Sequence, residues 1–154
     1  MGAAGGRFNV FTDELDVGSD RDGFSWRGAR VAKRIGAERI GASLYELERD
    51  QQTFPFHFHH GVEEWLYVVA GNPTLRTPAE RAKPLGPGDL VCFPAGASGA
   101  HALRGPGRVL ILSANRAPSI AVYPDSDKLG TRPGGASDRL NFRRADAVDY
   151  WEGE

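Results

Sequence analysis

Apolar and polar residues alternate along several short stretches of this chain, as they do in half-buried β-strands. The alternation is clearest in residues 40–47 and 64–69, and the second stretch is also rich in aromatic and β-branched residues. Further short strands are predicted at residues 74–77, 90–93, 101–104, 109–113 and 120–123. Turns rich in glycine and proline separate them. Evenly spaced short strands with such turns predict an all-β sandwich, jelly roll or barrel.

The strand pattern fills the middle of the chain and fades toward both ends. We therefore predict a flexible N-terminal arm at residues 1–23, a β-barrel domain at 24–124, and an irregular C-terminal loop and tail at 125–154. The tail is expected to dock on the barrel because residues 140–151 carry apolar and aromatic side chains. A length of 154 residues suits one such domain.

Composition narrows the classes of partner and compartment. The formal net charge is −1, so no general attraction to nucleic acid or to an anionic membrane is expected, and a small molecule is the expected partner. No apolar run approaches the ~18 residues needed to span a bilayer. The single cysteine, Cys92, excludes an internal disulfide, and the first residues lack the pattern of a secretory signal. A cytoplasmic location is the resulting expectation.

Candidate chemistry concentrates in the histidines, which occur only at positions 57, 59, 60 and 101. If the first cluster lies on a strand, His57 and His59 point to the same face and can hold one ion together. On the next strand Glu64 shares a face with Leu66 and Val68, which is the setting of a core-facing ligand. His101 can then supply a third imidazole.

The sequence allows two alternative interpretations of this cluster. A helix through the cluster would pair His60 with Glu64, but Gly61 and the neighbouring aromatic and β-branched residues oppose a helix. Glu63 is a second candidate carboxylate, although strand parity favours Glu64. His60 has the opposite parity to His57 and His59, so we interpret it as a turn or rim residue.

The spacing of these residues resembles the two motifs of the cupin superfamily. His57-Phe58-His59, then Glu64, then Gly71 matches the first motif, HxH-x(3,4)-E-x6-G. Gly88, Pro94-Ala95-Gly96 and His101 resemble the second motif, although four residues stand between Gly96 and His101 where the family has two. Gln51 and Gly105 also depart from the usual Gly and Asn. The resemblance implies a double-stranded β-helix, the jelly-roll barrel of the cupins.

The resemblance also implies one metal ion held by His57, His59, Glu64 and His101. Three imidazoles and one carboxylate suit a divalent transition metal, namely Fe, Mn, Ni, Zn, Co or Cu, better than Ca or Mg. Such a ligand set leaves coordination positions open on a six-coordinate ion, as reactive sites do. Because imidazoles bind metals only when neutral, the metal affinity is expected to fall below about pH 6.

Three functions are compatible with such a site. The first is an enzyme of dioxygenase, isomerase or lyase type that acts on a small oxygenated molecule, with Tyr45 and His60 as guesses for an acid or base. The second is a non-catalytic module that binds or senses a small molecule. The third is a metal-free structural barrel. The fold does not choose among these functions.

Four aromatic side chains are predicted on the faces opposite the ligands, where they need cover from water. Either the ends of the chain cover them, through Trp26 and Trp151, or a second subunit does so in a homodimer. Both explanations stay open at this stage. The four side chains are those of Phe56, Phe58, Trp65 and Tyr67.

Overall fold

The structure, a computed structural model, describes residues 5–114, 117–134 and 138–154. Short antiparallel strands dominate these residues, with one short helix, α1. The elements are β1 Val17–Arg21, β2 Phe24–Ala29, α1 Val31–Ile35, β3 Ile40–Leu47, β4 Phe58–His60, β5 Glu64–Gly71, β6 Thr74–Arg76, β7 Lys83–Pro84, β8 Leu90–Phe93, β9 Ala102–Arg104, β10 Gly107–Ala114, β11 Ser119–Tyr123, β12 Lys128–Arg132 and β13 Asn141–Arg143.

The strands form two layers that face each other. One layer is a six-stranded sheet in the order β1-β2-β3-β10-β5-β8. The other contains a four-stranded sheet, β13-β12-β11-β4, and a three-stranded sheet, β7-β6-β9. A bridge between His57 and His101 joins these two smaller sheets, because His57 immediately precedes β4 and His101 immediately precedes β9. This all-β jelly-roll architecture confirms the predicted fold class.

The alternation along β5 decides what faces the interior. Leu66 and Val68 are fully buried, whereas Trp65 and Tyr67 point to the other side and remain exposed. The parity predicted for this strand is therefore confirmed. Side chains from both layers complete the core, which consists of Tyr45, Leu47, Leu66, Val68, Leu75, Leu85, Phe93, Leu103 and Val109.

The N-terminal segment is more structured than the predicted arm. Strand β1 pairs with β2, so the sheet begins at Val17 and not at Phe24. Phe8, Val10 and Leu15 pack with α1 against the outer face of the large sheet. The sequence VGSDR of β1 lacks apolar alternation, so the pattern gave no sign of this strand.

The C-terminal tail reaches the second layer through its backbone. Strand β13 pairs with β12, but Phe142, Val148, Tyr150 and Trp151 are exposed. Trp151 therefore does not cover an aromatic face.

In the described residues no helix has the length and apolar character to cross a membrane.

The other aromatic residues differ in their cover. Trp26 packs on the core beside Tyr45, and Phe58 is buried with Ala100 and Val122. Trp65 and Tyr67 remain exposed on the large sheet, next to its edge strand β8. A second subunit on this face stays a prediction.

Candidate metal centre

A pair of backbone hydrogen bonds positions His57 and His101, the first and last of the three candidate histidine ligands in the chain. The His57 amide donates to the His101 carbonyl over 3.1 Å, and the His101 amide donates to the His57 carbonyl over 2.9 Å. This reciprocal pair holds the two residues opposite each other on neighbouring chain segments. Their imidazole rings lie 4.8 Å apart between centroids.

His59 and Glu64 come from consecutive strands. His59 lies in β4 with the same parity as His57, and Gly61, at φ +81°, allows the turn that follows. Glu64 opens β5, opposite Phe93 of β8. The turn therefore returns the chain so that the carboxylate faces the histidines.

Glu64 is the meeting point of the cluster. Its Oε2 lies 3.5 Å from Nε2 of His59 and 3.5 Å from Nε2 of His101. Ligand atoms of His57, His59 and Glu64 lie within 4.8 Å of one another. The four residues singled out in the sequence thus converge in space, although they come from three separate parts of the chain.

Backbone carbonyls fix the orientation of two of the rings. Nδ1 of His57 lies 2.8 Å from the Pro55 carbonyl, and Nδ1 of His101 lies 2.8 Å from the Gly99 carbonyl. A carbonyl only accepts, so each Nδ1 carries the proton and each Nε2 keeps its lone pair. Metal-binding histidines are commonly held this way by an acceptor behind the ring.

Aromatic packing restricts the same two rings further. Phe93 stacks on His101 with centroids 3.7 Å apart, and Tyr123 stacks on His57 at 5.9 Å. The buried Nδ1 of His59, in contrast, has no hydrogen-bond partner among the described residues. The cluster is therefore fixed at two of its imidazoles and less constrained at the third.

These separations fit a shared ion. Two ligand atoms at about 2.1 Å from one metal lie roughly 3.0–3.4 Å apart when they are adjacent. The 3.5 Å distances from Glu64 are close to this range, whereas two ligand atoms at the 4.8 Å limit would have to approach by about 1.4 Å to occupy adjacent positions on one ion. The donor set and its spacing therefore suit a divalent transition metal.

Burial controls the protonation of these groups. It lowers the pKa of His59 to about 4 and of His101 to about 3, and it also lowers the pKa of His57. Burial raises the pKa of Glu64 to about 7. At neutral pH the imidazoles are therefore uncharged, so the close Glu64–His contacts are not ion pairs. Neutral imidazoles are the form that a metal requires.

The longer loop of the second motif forms one turn of 3-10 helix, Ala97–Gly99. The Gly96 amide donates to the His59 carbonyl over 2.8 Å, which ties this loop to β4. A Cβ on Gly99 would lie 1.9 Å from the Pro94 carbonyl oxygen, so only glycine fits there. The two extra residues are thus absorbed by a tight turn that delivers His101 to the cluster.

The remaining sequence candidates lie apart from the cluster. Glu63 accepts a hydrogen bond from the Trp65 indole on the exposed face. His60 is exposed, and its ring packs edge-on against Phe58. Tyr45, in contrast, lines the cavity into which the cluster opens.

That cavity has a volume of about 470 Å³, which suits a small molecule. Sequence analysis missed much of its lining, including Tyr123 and three arginines, because these residues come from segments outside both motifs. Its polar and ionisable lining consists of Arg30, Ser43, Tyr45, His57, His59, Glu64, His101, Ser113, Tyr123, Arg132 and Arg139.

Comparison with known proteins extends these findings. A family model described as Cupin domain matches residues 43–114, which include the whole histidine and glutamate cluster. No curated protein sequence matches this chain.

Solved structures give matches over most of the chain. A protein of Acidithiobacillus ferrooxidans, described provisionally as a sugar phosphate isomerase, is 25% identical with a TM-score of 0.75, over 88% of this chain and 86% of its own. A sugar phosphate isomerase from a cupin superfamily, from Silicibacter pomeroyi, is 22% identical with a TM-score of 0.78, over 92% and 94%.

A third structure matches a smaller part of the molecule. The polyketide cyclase RemF of Streptomyces resistomycificus is 27% identical with a TM-score of 0.51, over 61% of this chain and 68% of its own. The same fold thus occurs with different chemistries among these proteins, so the reaction has to be argued from the site.

Proposed function

We propose that this chain is a metal-dependent enzyme acting on a small oxygenated molecule, because a Cupin domain model matches residues 43–114 and the histidine and glutamate cluster opens into a cavity. The observation that carries this proposal is the convergence of His57, His59, His101 and Glu64 at the wall of the 470 Å³ cavity. A ligand cluster that borders space for a substrate is typical of reactive metal sites.

We propose that His57, His59, Glu64 and His101 hold the ion. A bound divalent metal supplies Lewis-acid polarisation of a carbonyl or hydroxyl oxygen. The acceptors behind His57 and His101 keep these two Nε2 atoms directed into the cavity. Because burial raises the pKa of Glu64 to about 7, this carboxyl is partly protonated near neutral pH and would have to lose that proton to hold an ion.

Tyr45 is the candidate that we propose for moving a proton. Its ring is buried and lies edge-on to Trp26 and Phe54, which fixes its position. Its hydroxyl oxygen accepts a hydrogen bond from Arg30 over 2.8 Å, which leaves the hydroxyl proton free to face the cavity. The phenol is therefore placed to donate a proton to a substrate oxygen or to take one back.

Isomerisation of a sugar-like molecule is the first reaction to test. The Acidithiobacillus ferrooxidans protein supports this choice, since its provisional description is a sugar phosphate isomerase and the similarity extends over most of both chains. Aldose–ketose conversion moves the C2 hydrogen to C1, which a polarised carbonyl allows as a direct hydride shift, and it moves the O2 proton to O1, which needs a group that exchanges protons with both oxygens. The proposed metal and Tyr45 would supply these two functions.

The experiment is a turnover assay on metal-reconstituted protein. Aldose and ketose phosphates, then hydroxy and keto acids, are incubated with the protein and followed by proton NMR. We expect conversion of at least one compound, strongly reduced in Glu64→Gln and in Tyr45→Phe, with His60→Ala active as a matched control. A compound that raises the melting temperature but is never converted would instead indicate a binding module.

A further inference from the structure

Three arginines line the same cavity as the histidine and glutamate cluster. Arg30 lies between β2 and α1, next to the large sheet, and Arg132 ends β12 in the opposite layer. Arg139 follows β12 in the chain, and the neighbouring Asp138 and Leu140 hydrogen-bond to Thr131. Cationic groups from both layers therefore border one cavity.

The charge of these arginines is not balanced by acidic side chains. Within the described ranges, no carboxylate forms an ion pair with any of the three. Glu64 is the one acidic residue in the described lining, and it belongs to the cluster. In contrast, Arg76 and Arg108 each pair with a carboxylate, Asp125 and Glu46 respectively.

Uncharged acceptors hold two of the guanidinium groups in place. Arg30 donates to Ser43 Oγ over 3.2 Å and to Tyr45, and Arg132 donates to the Thr131 carbonyl and to the Tyr123 hydroxyl over 2.9 Å. A guanidinium has five N–H donors, so each group keeps donors for a ligand. These contacts orient the two cations without neutralising them.

From this arrangement we infer that the cavity takes an anion, with Arg30, Arg132 and Arg139 binding a phosphate or carboxylate group of the substrate. This inference rests on the proposed function, because it names the substrate class of that same site. The planar guanidinium fork matches both kinds of oxyanion in a bidentate way. The oxygenated carbon atoms of the same molecule would then face the histidine and glutamate cluster.

The net charge of the cavity also favours an anionic ligand. Three arginines and a divalent ion together outweigh the single Glu64 carboxylate in the described lining. A cavity of this charge attracts anions and strengthens their contacts where water is partly excluded. A neutral sugar would leave these cations unmatched.

The test measures binding of inorganic phosphate and of acetate to the full-length protein by isothermal titration calorimetry, at constant ionic strength with sodium chloride. The protein is used as purified and again after chelation, so that anion binding to a metal is separated from binding to the arginines. We expect saturable binding of at least one of the two anions to the wild-type protein. If phosphate binds more tightly, the substrate group is a phosphate, and if acetate binds more tightly, it is a carboxylate.

Substitution then assigns the binding to the arginines. Arg132→Gln and Arg30→Gln are each expected to lower the affinity for the anion about tenfold or more, because each removes charge-assisted hydrogen bonds. Arg132→Lys keeps the charge and is expected to restore part of the loss. Arg81→Gln removes the same charge from a different cavity and serves as the matched control.

The outcomes are distinguishable from those of the turnover assay. Binding that is absent, or equally weakened by Arg81→Gln, overturns the anion site even if turnover is found. Binding that depends on Arg132 and Arg30 supports it even if no compound is converted, in which case only the enzyme proposal fails. Circular dichroism of each variant checks folding, and two separate arginines keep the test decisive if one variant is unstable.

Discussion

The interior between the two layers has two regions that are built from the same strands but differ in chemistry. Along β5, Leu66 and Val68 lie in a close-packed apolar core, whereas the Glu64 side chain on the same face lines a polar cavity beside the histidines. The difference shows how one alternating strand serves both tasks. Its inner residues stabilise the fold, and its first residue provides the carboxylate that we propose as a metal ligand at the open end.

The two regions also differ in what their burial costs. Burying an apolar side chain stabilises the folded state, whereas burying an ionisable group without a charged partner destabilises its charged form. Burial lowers the pKa of His59 to about 4 and raises that of Glu64 to about 7, the directions that this cost predicts. We interpret the polar region as retained for binding and not for stability.

The largest expected effect is on the apolar region. Leu66→Ala should lower the free energy of unfolding by about 2–5 kcal/mol, because it removes buried methyl groups and leaves a cavity. Chemical denaturation measures this loss, and metal content, measured in parallel, should stay unchanged. A metal-free Leu66→Ala protein would show that the two regions are not separable.

The opposite result is expected for the polar region. At pH 8 Glu64→Leu should stabilise the metal-free protein by about 1–3 kcal/mol, because it removes a buried carboxylate. The pKa of Glu64 in the folded protein, about 7, lies above the ordinary 4.5, so its protonated form favours folding. Wild-type stability from this group is therefore lost as the pH rises through 4.5 to 7, and the advantage of Glu64→Leu should shrink at lower pH.

Denaturation of both metal-free proteins at pH 8 and at pH 5 measures this difference. Glu64→Gln is the control, since it keeps the shape and a polar group but removes the titration. A Glu64→Leu protein that is less stable than the wild type at both pH values would contradict the account of this region.

A smaller effect is expected from the turn that carries His101. Gly99→Ala forces a Cβ against the Pro94 carbonyl oxygen and displaces the Gly99 carbonyl, which accepts from His101. Loss of such an outer contact typically weakens metal affinity about 10–100-fold. Competition with a metallochromic chelator measures the change, and Gly88→Ala, on a more distant turn, is a suitable comparison. Equal affinity in Gly99→Ala and the wild type would refute the positioning role.

The smallest change concerns pH. Metal affinity should fall about tenfold for each pH unit below 7, because the ion must displace one proton from Glu64. The histidines do not compete in this range, since burial lowers the pKa of His59 to about 4 and of His101 to about 3. Calorimetry in buffers of different ionisation enthalpy should count about one released proton near pH 6. Release of two or more protons would show that the imidazoles also lose protons when the metal binds, which would contradict this prediction.

This assignment revises the sequence-based expectation, which attributed the loss of affinity below about pH 6 to the imidazoles. Sequence supplies ordinary pKa values, whereas burial is known only from the fold. From the structure we therefore predict that the proton competing with the metal is bound to Glu64 and not to the histidines.

Sequence patterns predicted the elements that carry strong alternation. The bounds predicted for β3 and β8 agree with those observed, and the parity of β5 placed Glu64 on the inner face. The motifs in turn identified the four residues that converge. Strands β1 and β12 were missed because VGSDR and KLGTR contain glycine and charged residues, and pairing with a neighbouring strand outweighs such weak local propensity.

The cavity lining was harder to predict than the cluster. Arg30 and Arg132 are far apart in sequence and come from opposite layers, so their proximity depends on how the sheets face each other. No local pattern contains that information. For the same reason the sequence does not distinguish Tyr45 from His60 as an acid or base, and it does not single out Tyr123.

Metal content tests the central claim most directly. Elemental analysis after reconstitution with Fe, Mn, Ni, Co, Cu or Zn should find about one ion for each wild-type chain and for each chain of His60→Ala, which changes only an exposed histidine. His57→Ala and His101→Ala should each lose the ion while keeping the fold. No bound metal in the wild type, or equal metal in His57→Ala and His101→Ala, would contradict the account.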